Sequence, residues 1–232
     1  MILNFEKNKR YFENNKKNMI IGAAVMAVGI VFLLMRGSWD FNPNIIGIPL
    51  TAIGAVIFFI DFMKTSRDSH LDEAIAKKRE LITEQLYEKY DLYERQLSYI
   101  NPVVTDQYLY TENSRVRRDG NGKYRSDIYS MVKLFFVEGE LVYLKRQFSF
   151  LEEYDLIEDG VIEYKNIGKV YTEQLESRYP LGKKVAEVKH YRFTIEDIEG
   201  NVIFTCPTTF DAAMDACVED IESLAKKAKG AA

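Results

Sequence analysis

The sequence is poor in the residues from which catalytic and metal sites are usually built. Two of its 232 residues are histidine and two are cysteine, and neither Cys206 nor Cys217 lies in a CxxC pair. This pattern argues against a zinc site and a disulfide framework, and it favours two small buried thiols. Nucleophile-elbow, phosphate-loop and zinc-protease motifs are also missing. We therefore predict a protein that is not an enzyme and that uses no metal or cofactor.

The larger part of the chain also lacks an excess of positive charge. Residues 65–232 carry 24 Lys or Arg and 31 Asp or Glu, a net charge of −7, whereas residues 1–64 carry a net charge of +3. Binding to nucleic acid needs a basic surface. We therefore expect no nucleic-acid partner.

Two stretches have no charged residue at all, Met19–Met35 and Ile45–Ile60. A helix of about 17 residues reaches about 26 Å, close to the hydrocarbon thickness of a bilayer. The first stretch is too long for the core of a signal peptide, and a second apolar stretch follows it. A buried hairpin in a soluble protein is the alternative, although such runs rarely adjoin there. We predict a transmembrane hairpin over residues 19–62, with helices at 19–36 and 44–62.

Basic residues beside the two helices predict their orientation. The connecting loop, Arg36–Asn44, has one basic residue, whereas both outer flanks are basic. Because basic flanks stay in the cytoplasm, we expect an inner-membrane protein with both termini cytoplasmic and residues 1–18 as a cytoplasmic segment. The flanking residues are Lys7, Lys9, Arg10, Lys16 and Lys17 on one side, and Lys64, Arg67, Lys77 and Lys78 on the other.

Small residues recur at helical spacing within both apolar stretches. Such residues let helices approach closely in lipid. The contact they predict is either within the hairpin or with another protein or a second copy. The residues are Ala23 and Ala27 in the first stretch, and Gly47, Thr51 and Ala55 in the second.

Residues 66–100 carry apolar side chains at steps of three and four, which predicts one long amphipathic linker helix. Pro102 marks its end. The apolar stripe fits either a coiled coil between copies or packing on the domain that follows. Its tyrosines, Tyr90 and Tyr93, favour packing, because coiled-coil seams prefer aliphatic residues.

Residues 102–230 show the alternation of β-strands, followed by one helix. Ile128–Phe136, Val142–Phe150, Tyr191–Ile195 and Val202–Cys206 alternate, with turns such as Glu138-Gly139-Glu140 between them. The final helix has an apolar face and a basic end. The fold class that we predict is a membrane α-helical hairpin followed by an α+β domain, a small β-barrel capped by the C-terminal helix. The apolar face comprises Phe210, Met214, Cys217, Ile221 and Leu224.

This order of elements resembles the bacterial pleckstrin-homology-like (PH-like) domains, of the type that carries an N-terminal transmembrane hairpin. The resemblance rests on the spacing of Ile162, Tyr164, Ile167 and Val170, and on the step from Cys206-Pro207 into the last helix. It covers roughly residues 103–228. It implies a fold and no catalytic residue, because the family shares an architecture and not an active site.

A basic cluster, Arg115, Arg117 and Arg118, precedes the segment Asp119-Gly-Asn-Gly-Lys123. That segment resembles the start of a calcium loop, but Lys123 stands where an oxygen ligand is needed, so a hairpin turn is the better interpretation. The arginines are a candidate contact for lipid phosphates or for a partner, or a solvated strand edge that opposes aggregation.

These patterns lead to one functional hypothesis and two alternatives. The hypothesis is a membrane-anchored cytoplasmic interaction or scaffold module that binds a protein partner or forms a homo-oligomer. One alternative is a regulator whose PH-like domain senses lipid headgroups. The other is a small subunit of a membrane transport complex, against which the lack of mid-span polar residues other than Thr51 weighs.

The predicted orientation can be tested by cysteine labelling of intact cells. In Ser38→Cys, the loop thiol should react with a membrane-impermeant maleimide. In Ala231→Cys, the thiol should react after lysis alone, because the positive-inside rule places it in the cytoplasm. The parent chain is the control for Cys206 and Cys217. Labelling of the C-terminal thiol in intact cells would reverse the assigned orientation.

Overall fold

The structure is a computed structural model that describes residues 4–13, 17–35, 42–64, 67–80, 84–182 and 184–230. Residues 36–41 of the predicted loop lie outside the described residues. The chain forms two compact units, Ile2–Leu71 and Asp72–Ala232. The boundary between them falls within one helix, Asp68–Glu80.

The first unit consists of a short helix and a helical hairpin. The helices are α1 (Phe5–Glu13), α2 (Lys17–Leu34) and α3 (Asn44–Lys64). Helices α2 and α3 are long and apolar enough to cross a membrane. Their bounds agree to within two residues with the predicted spans 19–36 and 44–62. Helix α1 lies within the segment 1–18, for which no helix was predicted.

The two hairpin helices contact each other through glycine. Gly22 and Gly29 are buried in α2, and Gly47 and Gly54 are buried in α3; we call these four residues the glycine seam. A Cβ atom at Gly29 would lie 2.5 Å from the backbone nitrogen of Thr51. The backbones therefore touch directly, at a separation that no larger residue allows.

Outside the glycine seam the hairpin presents mostly exposed aliphatic side chains. Ile20 is 64% exposed, Leu34 is 73% exposed and Ile45 is 66% exposed. A soluble monomer rarely exposes apolar residues so densely. Asp61, near the end of α3, is buried and forms an ion pair with Arg10 at 3.4 Å. The hairpin is thus apolar along its length and charged at its end.

The linker is not one continuous helix over 66–100. It contains α4 (Asp68–Glu80), α5 (Glu84–Tyr90) and α6 (Leu92–Arg95). Asp91 adopts a left-handed conformation with φ of 53°, which interrupts an α-helix. Gln96 then forms an isolated β-bridge with Val137. The single-helix prediction is wrong in this part, because pairing with a strand replaces the helical hydrogen bonds.

Three antiparallel sheets make up most of the second unit. A four-stranded sheet has the strand order β1-β4-β5-β6, a three-stranded sheet has the order β7-β8-β9, and β2 and β3 form a separate hairpin. The strands are β1 (Val103–Leu109), β2 (Val116–Arg118), β3 (Tyr124–Ser126), β4 (Ile128–Val137), β5 (Glu140–Ser149), β6 (Asp155–Glu163), β7 (Ile167–Leu181), β8 (Lys184–Asp197) and β9 (Val202–Thr208).

The main core lies between the two larger sheets and the C-terminal helix α7 (Ala212–Gly230). Leu134 and Phe136 of the first sheet, Phe193 and Ile195 of the second, and Ile221 of α7 are all fully buried. The described strands do not close into the predicted barrel. Strand β6 turns into β7 through a 3₁₀ turn at Tyr164–Asn166, so these two neighbouring strands do not pair.

The hairpin of β7 and β8 has its own small core, which contributes to this open arrangement. Tyr179 and Val188 pack with Val116 of β2 in a second apolar cluster. The prediction of a hairpin turn at Asp119–Lys123 is confirmed. Asp119 accepts hydrogen bonds from the backbone nitrogens of Asn121 and Lys123, and Gly122 has a φ of +84°.

Helix α7 begins later than its sequence pattern suggested. Asp211 caps it by accepting hydrogen bonds from the backbone nitrogens of Ala213 and Met214, as a capping carboxylate does. Phe210 precedes the helix and is 63% exposed, so its place in the predicted apolar face is wrong. The rest of that face is correct. Met214, Cys217 and Ile221 are buried and Leu224 packs at the margin of the core.

Replacing Ile221 by aspartate should unfold the second unit, because an unpaired charge would enter a fully buried site. We expect a loss of about 3–5 kcal/mol in the free energy of unfolding, or no folding at all. Circular dichroism melts of residues 72–230 measure it. Ala216→Asp is the control, because Ala216 is exposed on the same helix. A cooperative, unshifted melt of Ile221→Asp would refute the packing of α7.

Candidate interaction surface

The described residues 72–80 and 84–95, which we call the linker segment, lie against the outer face of the four-stranded sheet, the face opposite the main core. Lys78 forms an ion pair with Asp155 and Lys89 with Asp159, both on β6. Arg95 forms an ion pair with Glu140 at the start of β5. Arg79 pairs with Asp106 on β1. The basic side belongs to the linker segment and the acidic side to the sheet in all four pairs.

These ion pairs surround an apolar face that would otherwise meet water. Phe135, Val142 and Phe148 are at most 1% exposed. The ring of Tyr87, in α5, lies edge-on against Phe135 with centroids 5.3 Å apart. The linker segment therefore packs on the domain, which was the favoured of the two arrangements considered for its apolar stripe.

Arg125 joins the start of the linker segment to the β2–β3 hairpin. Its guanidinium donates hydrogen bonds to Asp72, to Asp119 at 3.1 Å and to the hydroxyl of Tyr108 at 3.0 Å. The Arg125 side chain is almost wholly buried, and a buried guanidinium needs partners of this kind. Burial raises the pKa of Tyr108 to about 12, so its hydroxyl stays protonated.

The predicted basic cluster lies on this same hairpin. Arg118 donates to the backbone oxygen of Gly122 at 2.8 Å, and its guanidinium lies over the Tyr124 ring. The backbone N–H of Arg115 donates a hydrogen bond to the carboxylate of Asp127. Arg118 thus supports the turn that it precedes, and Arg115 holds the base of the hairpin.

The predicted helix contacts are only partly those observed. Gly47 lies in the glycine seam, and Thr51 donates its hydroxyl to the Gly47 carbonyl at 2.8 Å. Ala23 and Ala55 are half-buried, and Ala27 is exposed, so Ala27 does not lie in the contact within the hairpin. Sequence reasoning missed Gly22, Gly29 and Gly54. Their signal was a pair of glycines seven residues apart in each helix.

Strand β6 is an open edge of the four-stranded sheet. It pairs with β5 on one side, and no described strand pairs with its other side. Of its nine residues only Ile162 is buried. The opposite edge differs, because Thr105 of β1 is hydrogen-bonded to Thr208 of β9 at 2.9 Å. An exposed edge strand presents backbone donors and acceptors to any extended chain.

A groove lies beside the end of β6. Its lining combines the aliphatic side chains of Val161, Ile198 and Ile203 with the ring of Tyr143. Val161 is 41% exposed, Ile198 is 67% exposed and Ile203 is 39% exposed. The turn between β8 and β9 forms the far wall. The edge and the groove together form the candidate interaction surface.

The described residues offer little chemistry for catalysis. No group of three or more metal-binding side chains occurs among them. The Ser177 hydroxyl lies 3.0 Å from Nε2 of His190, but burial lowers the pKa of that histidine and no described acid orients it. Burial also raises the pKa of the Cys217 thiol to about 12, which disfavours the reactive thiolate.

No family model, curated protein or solved structure matches the chain.

The packing of the linker segment predicts which fragment of the chain is soluble. Residues 72–230 should give a soluble, cooperatively melting protein. Residues 101–230 should aggregate, because they would expose the apolar face that includes Phe135 and Phe148. Size-exclusion chromatography and thermal melts compare the two fragments.

A variant of the longer fragment tests whether the ion pairs of the linker segment, and not its apolar contacts, stabilise the domain. Lys89→Ala removes an exposed ion pair and should leave the thermal melt of the fragment nearly unchanged, because solvent screens such pairs. A soluble, equally stable fragment 101–230 would contradict a covering role for the linker segment.

Proposed function

We propose that the protein is a membrane-anchored, non-catalytic interaction module. In this proposal the hairpin spans the inner membrane with both termini in the cytoplasm. The second unit is a PH-like domain that binds a partner protein at the open edge of β6 by strand addition. The observation that carries the proposal is the exposed, unpaired β6 edge beside an aliphatic groove.

The strand order supports the PH-like assignment. Antiparallel strands followed by one C-terminal helix that packs on the core is the order that the resemblance implies. The β2–β3 hairpin is then an insertion between the first and second strands of that fold. The linker segment is a further addition, which covers the second face of the first sheet.

The composition of the hairpin supports a membrane anchor. Its two helices have uncharged centres, exposed aliphatic surfaces and a contact made by glycine, as helices packed in lipid do. Anchorage places the attached domain at a high effective concentration near other membrane proteins, so that a weak protein-binding surface suffices.

Protein is favoured over lipid as the ligand of the domain. Residues 65–232 carry a net charge of −7, which opposes an anionic bilayer. Each lysine or arginine near such a surface contributes about 1 kcal/mol, and Arg118 of the basic cluster is already engaged with its own hairpin. The exposed aliphatic residues beside β6 fit a protein partner better than a headgroup.

Site-specific photo-crosslinking in cells tests the proposed binding edge. A photoreactive residue at Ile157, which is 56% exposed on β6, should give a discrete protein adduct of the full chain. The control is the same residue at Ala216, exposed on α7, which should give none. Equal adducts at both positions, or none at either, would count against the edge as the binding surface.

Co-sedimentation tests the competing lipid ligand. Residues 72–230 should not sediment with anionic vesicles at physiological salt. Strong sedimentation that is lost in the triple variant Arg115→Ala, Arg117→Ala and Arg118→Ala would establish the lipid-sensing alternative instead.

A further inference from the structure

The groove beside β6 has an aliphatic wall that is unusually exposed for so small an area. Val161 comes from β6, Ile198 from the turn after β8, and Ile203 from β9, so three separate segments bring these residues together. Clustered exposed aliphatic residues mark binding sites more often than scattered ones do. An aliphatic side chain of a ligand could contact Ile198 and Ile203 beside this end of β6.

Tyr143 forms the floor of the groove and is held in place. Its ring packs on Phe204, with centroids 4.6 Å apart. It also lies across Gly160, where a Cβ atom would be 2.7 Å from the tyrosine hydroxyl. Glycine at this position lets the ring lie flat along β6. The floor is therefore continuous with the open strand edge.

The charge around the groove is of one sign. Four carboxylates line it and, among the described lining residues, no lysine or arginine does. Glu140 forms an ion pair with Arg95 and Glu163 with Lys165. Among the described residues, Asp197 and Glu199, at the turn, have Asn201 as their side-chain partner and no cation. Hydrogen bonds from Asn201 lower the pKa of Asp197, so that it is ionised at neutral pH.

A second copy of this chain is a poor occupant. Strand β6 carries four acidic residues and no basic residue between Asp155 and Glu163. The β6 strand of a second copy would therefore bring no basic side chain to Asp197 and Glu199. A strand with basic residues would neutralise the turn.

We propose that the groove binds an extended segment of a partner protein in which aliphatic residues alternate with lysine or arginine. An aliphatic side chain of this segment packs against Ile198 and Ile203 beside the end of β6, and a basic side chain meets Asp197 and Glu199. The remaining residues pair with β6 as an added strand. This assignment rests on the proposed function and names the chemistry of its partner.

The test uses the full chain in nanodiscs of phosphatidylcholine, which carry no net charge to attract a cationic probe. The probes are an eight-residue peptide of alternating valine and lysine, and the matched peptide of valine and glutamate. The lysine peptide should bind at least about tenfold more tightly at low ionic strength, because opposite charges attract at the groove. Hydrogen exchange should slow in β6 and not in α7.

Two charge-reversal variants identify the binding groups. Glu199→Lys should weaken binding of the lysine peptide at least about fivefold. Glu219→Lys, an equal charge change on the exposed side of α7, should leave it within about twofold. Thermal melts check that both variants stay folded. Equal binding of the two peptides, protection in α7 instead of β6, or an unchanged affinity of Glu199→Lys would each overturn the assignment.

The outcome separates this inference from the proposal on which it rests. Failure of the lysine peptide, together with a discrete crosslink from Ile157, would refute the cationic partner and keep the binding edge. Failure of both would refute the edge itself.

Discussion

The architecture depends on a sheet that is apolar on both faces. Strand β4 buries residues on both sides along nearly its whole length. Leu134 and Phe136 face the main core, while Phe135 and Val137 face the other way and are equally buried. A single capping helix can cover one face of such a sheet only. The second face needs its own cover, and the linker segment supplies it.

The chemistry of the linker segment follows from this requirement. Its apolar contacts, such as Tyr87 on Phe135, exclude water from the sheet. Its ion pairs lie at the margin of this contact, where solvent screening leaves them weak. They help to define where the segment lies on the sheet, but they contribute little to its stability. Arg125 is different, because its buried guanidinium would lose several partners if Asp72 moved away.

The sequence predicted elements well where one periodicity acted alone. The uncharged stretches gave the hairpin helices to within two residues, and alternation gave the strands β4 and β5. Prediction from the sequence failed where two structures competed for the same residues. The linker pattern continued as a helix through Asp91, but Gln96 and Leu97 bond to β4 instead. A sequence pattern carries no information about such long-range pairing.

The prediction of a closed barrel was wrong for a related reason. Alternation identifies strands but not which edges meet. The candidate surface was therefore beyond prediction, since Val161 lies far in sequence from Ile198 and Ile203. The glycine seam, by contrast, was available as glycines at a spacing of seven. The search for small residues at a spacing of four led instead to Ala27, which is exposed.

The acidic residues of β6 and of the turn between β8 and β9 differ in their partners. Asp155, Glu158 and Asp159 form ion pairs with basic side chains of the linker segment or β5. These charges are already paired within the domain, so they attract an added basic side chain only weakly. Glu199, in the turn between β8 and β9, has no such internal cation among the described residues. Attraction of a basic side chain is thus confined to the groove. This attraction would set the register of an added strand at one end.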